Sequence, residues 1–120
     1  MSEARQERRN EKIAERIRRI VTEHIREMTF TRGVVVAVSR VALAHGGELA
    51  NVAILVYPAS EAHAVLAQLK REETILNRRL FTALRMKHVP RVLFALDAEE
   101  MHRRRIEAIL KEEKNAQAAW

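Results

Sequence analysis

Apolar residues recur at helical spacing near the beginning of the chain. Between residues 9 and 28 every third or fourth position is apolar, which places these side chains on one face of a helix. No proline or glycine interrupts the stretch. The positions on this face are Ile13, Ile17, Ile20, Val21, Ile25 and Met28. The pattern therefore predicts a long amphipathic first helix, preceded by a flexible segment over residues 1–8.

Two runs rich in β-branched residues follow and predict a β-hairpin. They cover residues 34–43 and 50–57, with Gly46 and Gly47 between them. Glycine adopts the positive φ angles that tight hairpin turns require. Pro58 is expected to end the second strand, because proline has no N–H to donate to a neighbouring strand.

The remaining pattern predicts helices around one more strand. A leucine-rich stripe follows Ser60, which we expect to be the N-cap of its helix. Glu73 falls on the same face as the leucines, where a carboxylate should not be buried. The stripe therefore indicates two helices, or one kinked helix, joined near residues 71–74. A third strand is predicted over residues 92–96, and Asp97 is expected to cap the last helix.

The predicted order α-β-β-α-α-β-α indicates an α+β two-layer sandwich. A three-stranded sheet with one apolar face needs a cover, and the amphipathic helices supply it. A chain of 120 residues with 48% hydrophobic content is sufficient for one core. We therefore expect a single domain over residues 9–114, followed by a flexible tail at residues 115–120.

Composition and charge narrow the chemistry. Lys and Arg number 22 against 16 Asp and Glu, and the resulting net charge of +6 favours a polyanionic partner. The chain has no cysteine, and its five histidines lack metal-binding spacing. Nucleophile motifs and phosphate-binding loops are also absent, so we expect no enzyme activity, no cofactor and no metal. No long apolar run is present, so we expect no signal peptide, no membrane span and a cytoplasmic location.

Arginine is concentrated on two of the predicted helix faces. The first helix carries a basic sector about 80° wide at 3.6 residues per turn, and further arginines spaced seven apart lie opposite the leucine stripe. Arginine pairs bidentately with phosphate, which favours contact with a nucleic-acid backbone. A charged helix face can also be merely solvated, and this alternative stays open. The expected RNA-binding residues are Arg8, Lys12, Arg16, Arg19, Arg71, Arg78, Arg85 and Lys87.

The order of elements and several short stretches resemble one known family. The arginine-rich and isoleucine-rich first helix, the stretch Val38-Ser39-Arg40-Val41 and residues 49–56 match parts of it. The clearest match is to its ending, L-R-x-x-x-x-P-x-L-x-F-x-x-D. Here Arg85, Pro90, Phe94 and Asp97 fall at the matching positions. On these residues the chain resembles ribosome-binding factor A, a type II KH-like family, over residues 10–112.

The resemblance implies a function that the residues alone do not indicate. It implies an assembly factor that binds the rRNA of the small (30S) ribosomal subunit late in maturation. It further implies assistance to 16S rRNA 5′-end processing and to growth at low temperature. The expected partners are the small subunit and its precursor 16S rRNA, bound by a monomer. The alternative from the residues is a protein-interaction module that binds an acidic protein partner.

One stretch departs from the family pattern. Glu72-Glu73-Thr74 stands where relatives carry an Ala-x-Gly kink between the two middle helices. We therefore expect a diverged member, whose kink is either lost or made without glycine. We also expect the two adjacent acids to repel a phosphate at this junction.

Overall fold

The computed structural model describes residues 2–118, and the order of its elements confirms the predicted α+β sandwich. Three-residue 3₁₀ turns stand at His45–Gly47, inside the hairpin, and at Ala59–Glu61, before the second helix. The helices and strands are α1 Glu3–Glu27, β1 Val35–Ala44, β2 Leu49–Tyr57, α2 Ala62–Arg71, α3 Glu73–Leu84, β3 Arg91–Leu96 and α4 Ala98–Ala118.

Helix α1 begins earlier than the hydrophobic pattern indicated. Ser2 is its N-cap, and the side-chain oxygen of Ser2 accepts a hydrogen bond from the Arg5 N–H at 3.4 Å. Residues 3–8 are therefore helical, although we expected the helix to begin near residue 9. The apolar spacing could not reveal these first turns, because their side chains are exposed and carry no apolar face.

The sheet has the strand order β1-β2-β3. Strands β1 and β2 pair antiparallel as the predicted hairpin, and Gly46 and Gly47 adopt positive φ angles of 65° and 90° in its turn. Strands β2 and β3 pair in parallel, so the chain must cross over between them through α2 and α3. The register of β1 shifts between Val38 and Arg40, which leaves Ser39 in a bulge.

The core lies between one face of the sheet and helices α1, α2 and α3. Over residues 49–54 of β2 the buried side chains alternate with less buried ones, as expected for a sheet covered on one side. Leu55 is buried as well, on the side of the sheet that α4 contacts. The predicted leucine stripe and the isoleucine face of α1 supply most of the cover. The largest fully buried side chains are Ile17, Val21, Val52, Ile54, Leu69, Leu76, Leu80 and Val92.

The predicted break between the two middle helices is confirmed, and it is made without glycine. Helix α2 ends at Arg71 and α3 begins at Glu73, with Glu72 between them at φ −88° and ψ −5°. The prediction that Ser60 caps α2 is wrong. Ser60 lies inside the 3₁₀ turn, and Glu61 is the residue that precedes α2.

Helix α4 is capped as predicted but packs less than expected. The Asp97 carboxylate accepts a hydrogen bond from the Glu100 N–H at 3.1 Å. Beyond the first turns, the apolar residues Ile106, Ile109 and Leu110 are exposed. The helix extends to Ala118, so residues 115–118 of the predicted tail are helical, while residues 119 and 120 lie outside the described residues. None of the helices described between residues 2 and 118 is long and apolar enough to cross a membrane.

Candidate RNA-binding surface

The basic face of α1 lies beside the C-terminal end of α3. A guanidinium nitrogen of Arg16 (Nη2) donates a hydrogen bond to the backbone oxygen of Ala83 at 3.1 Å. Ala83 is in the last turn of α3, where carbonyl oxygens lack partners within the helix. This contact therefore connects α1 to the end of α3. The residues of α1 that we expected to bind RNA are all exposed: Arg8, Lys12, Arg16 and Arg19.

A cleft of about 620 Å³ opens between α1, the hairpin turn and the loop that follows α3. Arg9 and Asn10 of α1 line one wall, and Lys87 and His88 from the loop after α3 line another. Gly47 of the hairpin turn borders the same space. Lys87 was expected from the sequence, whereas Arg9 was not. The cleft therefore brings a cationic side chain of α1, Arg9, and one of the loop after α3, Lys87, around one concave surface.

We expected the three arginines spaced seven apart to form a stripe on one helix, and they do not. Arg71 is the last residue of α2, Arg78 lies within α3, and Arg85 follows α3 with a left-handed backbone at φ 50°. The junction at Glu72 separates the first from the second, and the turn at Arg85 separates the second from the third. All three side chains remain exposed. A 12-residue helix spans about 18 Å. The three arginines are therefore spread along the length of α3 and cannot bind one phosphate together.

The acid at the helix junction is directed toward α1. An Oε2 oxygen of Glu72 lies 3.8 Å from the Nε2 nitrogen of His24, and the Glu72 side chain is 29% exposed. His24 is buried, its Nδ1 is 3.2 Å from an Arg79 nitrogen, and its Nε2 has no hydrogen-bond partner within residues 2–118. Glu72 therefore lies near His24 without a hydrogen bond between them, and the repulsion of phosphate by the two adjacent acids stays a prediction.

An ion pair ties α3 to α1 next to this junction. Arg79 donates two hydrogen bonds to the Glu27 carboxylate, at 2.8 and 3.1 Å, and lies 3.6 Å from Glu23. These hydrogen bonds lower the pKa of Glu27 below its ordinary value and raise the pKa of Arg79. The charges of Arg79 and Glu27 therefore neutralise each other where α3 meets the end of α1. Arg19, one of the residues expected to bind RNA, is also paired, at 3.7 Å from Glu15.

Asp97 of the matched ending has a structural role. Its carboxylate accepts a 2.6 Å hydrogen bond from the Ser39 hydroxyl in the β1 bulge, in addition to capping α4. The Ser39 bond, followed by the backbone N–H of Glu100, lowers the pKa of Asp97 below its ordinary value. Arg18 of α1 donates to the backbone oxygens of Val38 and Ser39, both at 3.1 Å. The bulge is thus held from both sides.

Two exposed apolar residues on α3 were not expected from the sequence. Phe81 is 64% exposed and Ile75 is 55% exposed. Both lie off the leucine stripe, and Phe81 follows Arg78 by three positions, which puts the two on neighbouring parts of one helix surface. This spacing was the signal that could have identified Phe81.

A second concave surface, of about 800 Å³, lies between the sheet and α4. Val35 and Tyr57 contribute apolar surface to it, and Arg104 and Arg105 stand on the α4 side. Arg104 is partly neutralised, because its Nε lies 3.1 Å from Glu100. Among residues 2–118 there is no group of three or more side chains that could hold a metal ion.

A basic helical surface on a three-stranded, KH-like α+β sandwich is typical of a domain that docks on an RNA backbone. The comparisons with known proteins identify the family more closely. The family model of ribosome-binding factor A matches residues 5–110, and the chain belongs to this family.

Solved structures support the same fold. The crystal structure of ribosome-binding factor A from Thermus thermophilus is similar at a TM-score of 0.63 and 24% identity, covering 72% of this chain and 93% of that one. A homology model of the Thermus thermophilus factor, fitted into a cryo-EM map of its complex with the 30S subunit, gives a TM-score of 0.58 and 25% identity over 70% of this chain and 90% of that one.

A third similarity is to the solution structure of a Thermotoga maritima protein proposed to be a ribosome-binding factor A. Its TM-score is 0.55 at 18% identity, over 72% of this chain and 80% of that one, which shows the fold alone. The comparison with curated protein sequences finds no relative.

Proposed function

We propose that this protein binds the rRNA of the small ribosomal subunit during late maturation. In this role it would assist 16S rRNA 5′-end processing, and growth at low temperature, without making or breaking bonds itself. Family membership supports the proposal, as does the complex that the fitted Thermus thermophilus factor forms with the 30S subunit. The observation that carries it is the exposed basic surface shared by α1 and the outer side of α3.

The mechanism rests on fixed spacing of positive charge. Arg16 on Ala83, and Arg79 on Glu27, connect α1 to α3, and the buried faces of both helices pack into one core, so their exposed basic side chains project from one folded unit. Contacts to phosphates position a protein on RNA without reading its sequence. Binding would then favour whichever rRNA conformation presents phosphates at the matching positions. The protein would stabilise that conformation and leave once the surface is covered or changed.

Filter binding tests the proposal. Precursor small-subunit rRNA and an unrelated RNA of equal length are titrated with the protein across a salt series. Because each phosphate contact releases counterions, we expect affinity for the precursor to fall by at least about tenfold between 50 and 200 mM salt. We also expect tighter binding to the precursor than to the unrelated RNA. Affinity that barely changes with salt would contradict phosphate contact as the mechanism.

The second candidate function is binding of an acidic protein partner. It is favoured by the concave surface beside α4, where apolar side chains of Val35 and Tyr57 adjoin Arg105. A partner captured through this surface would be lost on Tyr57→Ala and unaffected by changes on α3. Capture of such a partner by a protein that shows no RNA affinity would favour this candidate over the first.

A further inference from the structure

Phe81 presents an aromatic ring to solvent on the outer side of α3. Its side chain is 64% exposed, whereas the neighbouring Leu80 is fully buried in the core. A single exposed apolar residue is ordinary on a protein surface. The ring is informative because of the residues around it.

The surroundings of Phe81 on α3 are cationic and contain no acid. Arg78 precedes it by one turn, roughly 60° round the helix at 3.6 residues per turn, and Arg85 follows at the end of the helix. Between Thr74 and Leu84 the sequence has no acidic residue. Neither Arg78 nor Arg85 forms an ion pair among the described residues. The ring therefore lies between two positive charges that are available to a ligand.

We propose that Phe81 is a stacking platform for one unpaired base of the RNA that docks on this surface. The proposal rests on the proposed function and adds to it a preference for RNA with an unpaired nucleotide. The face of a base is accessible to an aromatic side chain only when the base is unpaired or splayed out. Rings beside cationic side chains are the combination that binds single-stranded nucleotides, since the ring takes the base and the charges take the backbone.

The same surface fits a protein partner less well. Binding hot spots in protein interfaces cluster in packed apolar patches. On α3 the other large exposed apolar residue is Ile75, which lies roughly 120° away from Phe81 round the helix. With one ring and no adjoining apolar patch, the site suits a single flat ligand flanked by phosphates.

Two RNA hairpins test the proposal. Their stem and loop sequences are the same, but one stem carries a single unpaired purine as a bulge and the other stem is fully paired. In fluorescence anisotropy we expect the wild-type protein to bind the bulged hairpin more tightly. Phe81→Ala should weaken binding of the bulged hairpin by roughly tenfold and leave the paired hairpin unchanged. Phe81→Trp should retain the preference, because tryptophan also stacks.

Tyr57→Ala is the matched control, since Tyr57 is an aromatic residue that is 72% exposed on the sheet, away from α3. It should leave both affinities unchanged. A direct signature comes from Phe81→Trp combined with Trp120→Phe, which leaves one tryptophan in the chain. Its fluorescence should be quenched by the bulged hairpin and not by the paired one.

The possible outcomes distinguish the stacking proposal from the proposed function, which is binding of small-subunit rRNA. A salt-sensitive wild-type protein that binds both hairpins equally would overturn stacking alone. Equal losses for both hairpins on Phe81→Ala would also overturn it. A Phe81→Ala variant that keeps wild-type affinity for both hairpins but no longer sediments with small subunits would overturn it in favour of a protein contact. Wild-type protein that binds neither hairpin but binds precursor small-subunit rRNA would overturn stacking alone, and protein that binds none of the three RNAs would overturn the proposed function as well.

Discussion

Neutralising Arg78 and Arg85 together should reduce the salt dependence of RNA binding by a definite amount. Both side chains are exposed, and within residues 2–118 neither is ion-paired, so each is available to contact one phosphate. Each phosphate contact contributes about 0.7 to 0.9 to the slope of log K against log salt. Replacing both with glutamine should therefore lower the slope by about 1.4 to 1.8. The measurement is filter binding to precursor small-subunit rRNA at five or more salt concentrations.

The matched control removes two charges from another helix. Arg103 and Arg104 of α4 are already paired with Glu100, at 2.6 and 3.1 Å, and Arg103 also pairs with Glu107 at 2.7 Å. Changing these two arginines to glutamine alters the net charge by the same amount, but we expect the slope to stay close to that of the wild type. Equal reductions in both double variants would refute the reasoning, because binding would then depend on net charge and not on the surface of α3.

Three further changes test the frame that carries this surface. Leu80→Ala should lower the free energy of unfolding, measured by chemical denaturation, by about 2–5 kcal/mol, because Leu80 is fully buried. A much smaller decrease would mean that the neighbouring side chains move in to fill the cavity. Ser39→Ala should raise the pKa of Asp97 toward its ordinary value of 3.8, since the main hydrogen bond that lowers it is removed. The stability that Asp97 contributes is fully present above pH 3.8 and is lost as the pH falls through the lower pKa of the folded protein. The melting temperature of the variant should therefore fall less in acid than that of the wild type. An unchanged Asp97 pKa in a carboxyl NMR titration would contradict this. Glu27→Gln should lower the melting temperature modestly, and less at high salt, because the Arg79 pair is largely exposed; identical melting at low salt would show that the pair does not hold α1 to α3.

Several elements could be predicted because their signals are local. The helical spacing of apolar residues in α1 depends on neighbouring positions along one chain segment. The turn at Gly46 and Gly47 requires positive φ angles that glycine adopts readily. The break between α2 and α3 was indicated by Glu73, whose charge could not lie on a buried leucine face. In each case the signal is a property of the local residues, namely their spacing, their allowed φ angles or their charge.

The arrangement of the candidate site could not be predicted in the same way. Counting seven residues from Arg71 to Arg78 and on to Arg85 assumes one straight helix. The junction at Glu72, which the sequence did indicate, separates Arg71 from Arg78. The left-handed backbone at Arg85 ends α3 at a residue that is not a glycine, so the sequence indicated no turn there. The direction of Glu72 toward His24 depends on how α1 packs, which is a contact between distant segments.

Phe81 was missed for a related reason. Whether the Phe81 ring faces the core or solvent depends on which side of α3 is covered. The covered side is fixed by the packing of α1 and the sheet against Leu76 and Leu80. Once that side is known, the exposure of Phe81 follows from its position on the helix.

Co-sedimentation with small ribosomal subunits tests the central claim most directly. Wild-type protein and a variant with Arg78, Arg85 and Lys87 changed to glutamate are each centrifuged with purified precursor subunits at moderate salt. All three side chains are exposed, so the variant should keep the wild-type melting temperature. We expect the wild type to sediment with the subunits and the variant to remain in the supernatant. Equal sedimentation of both proteins would contradict the claim that the basic surface of α1 and α3 binds the small subunit.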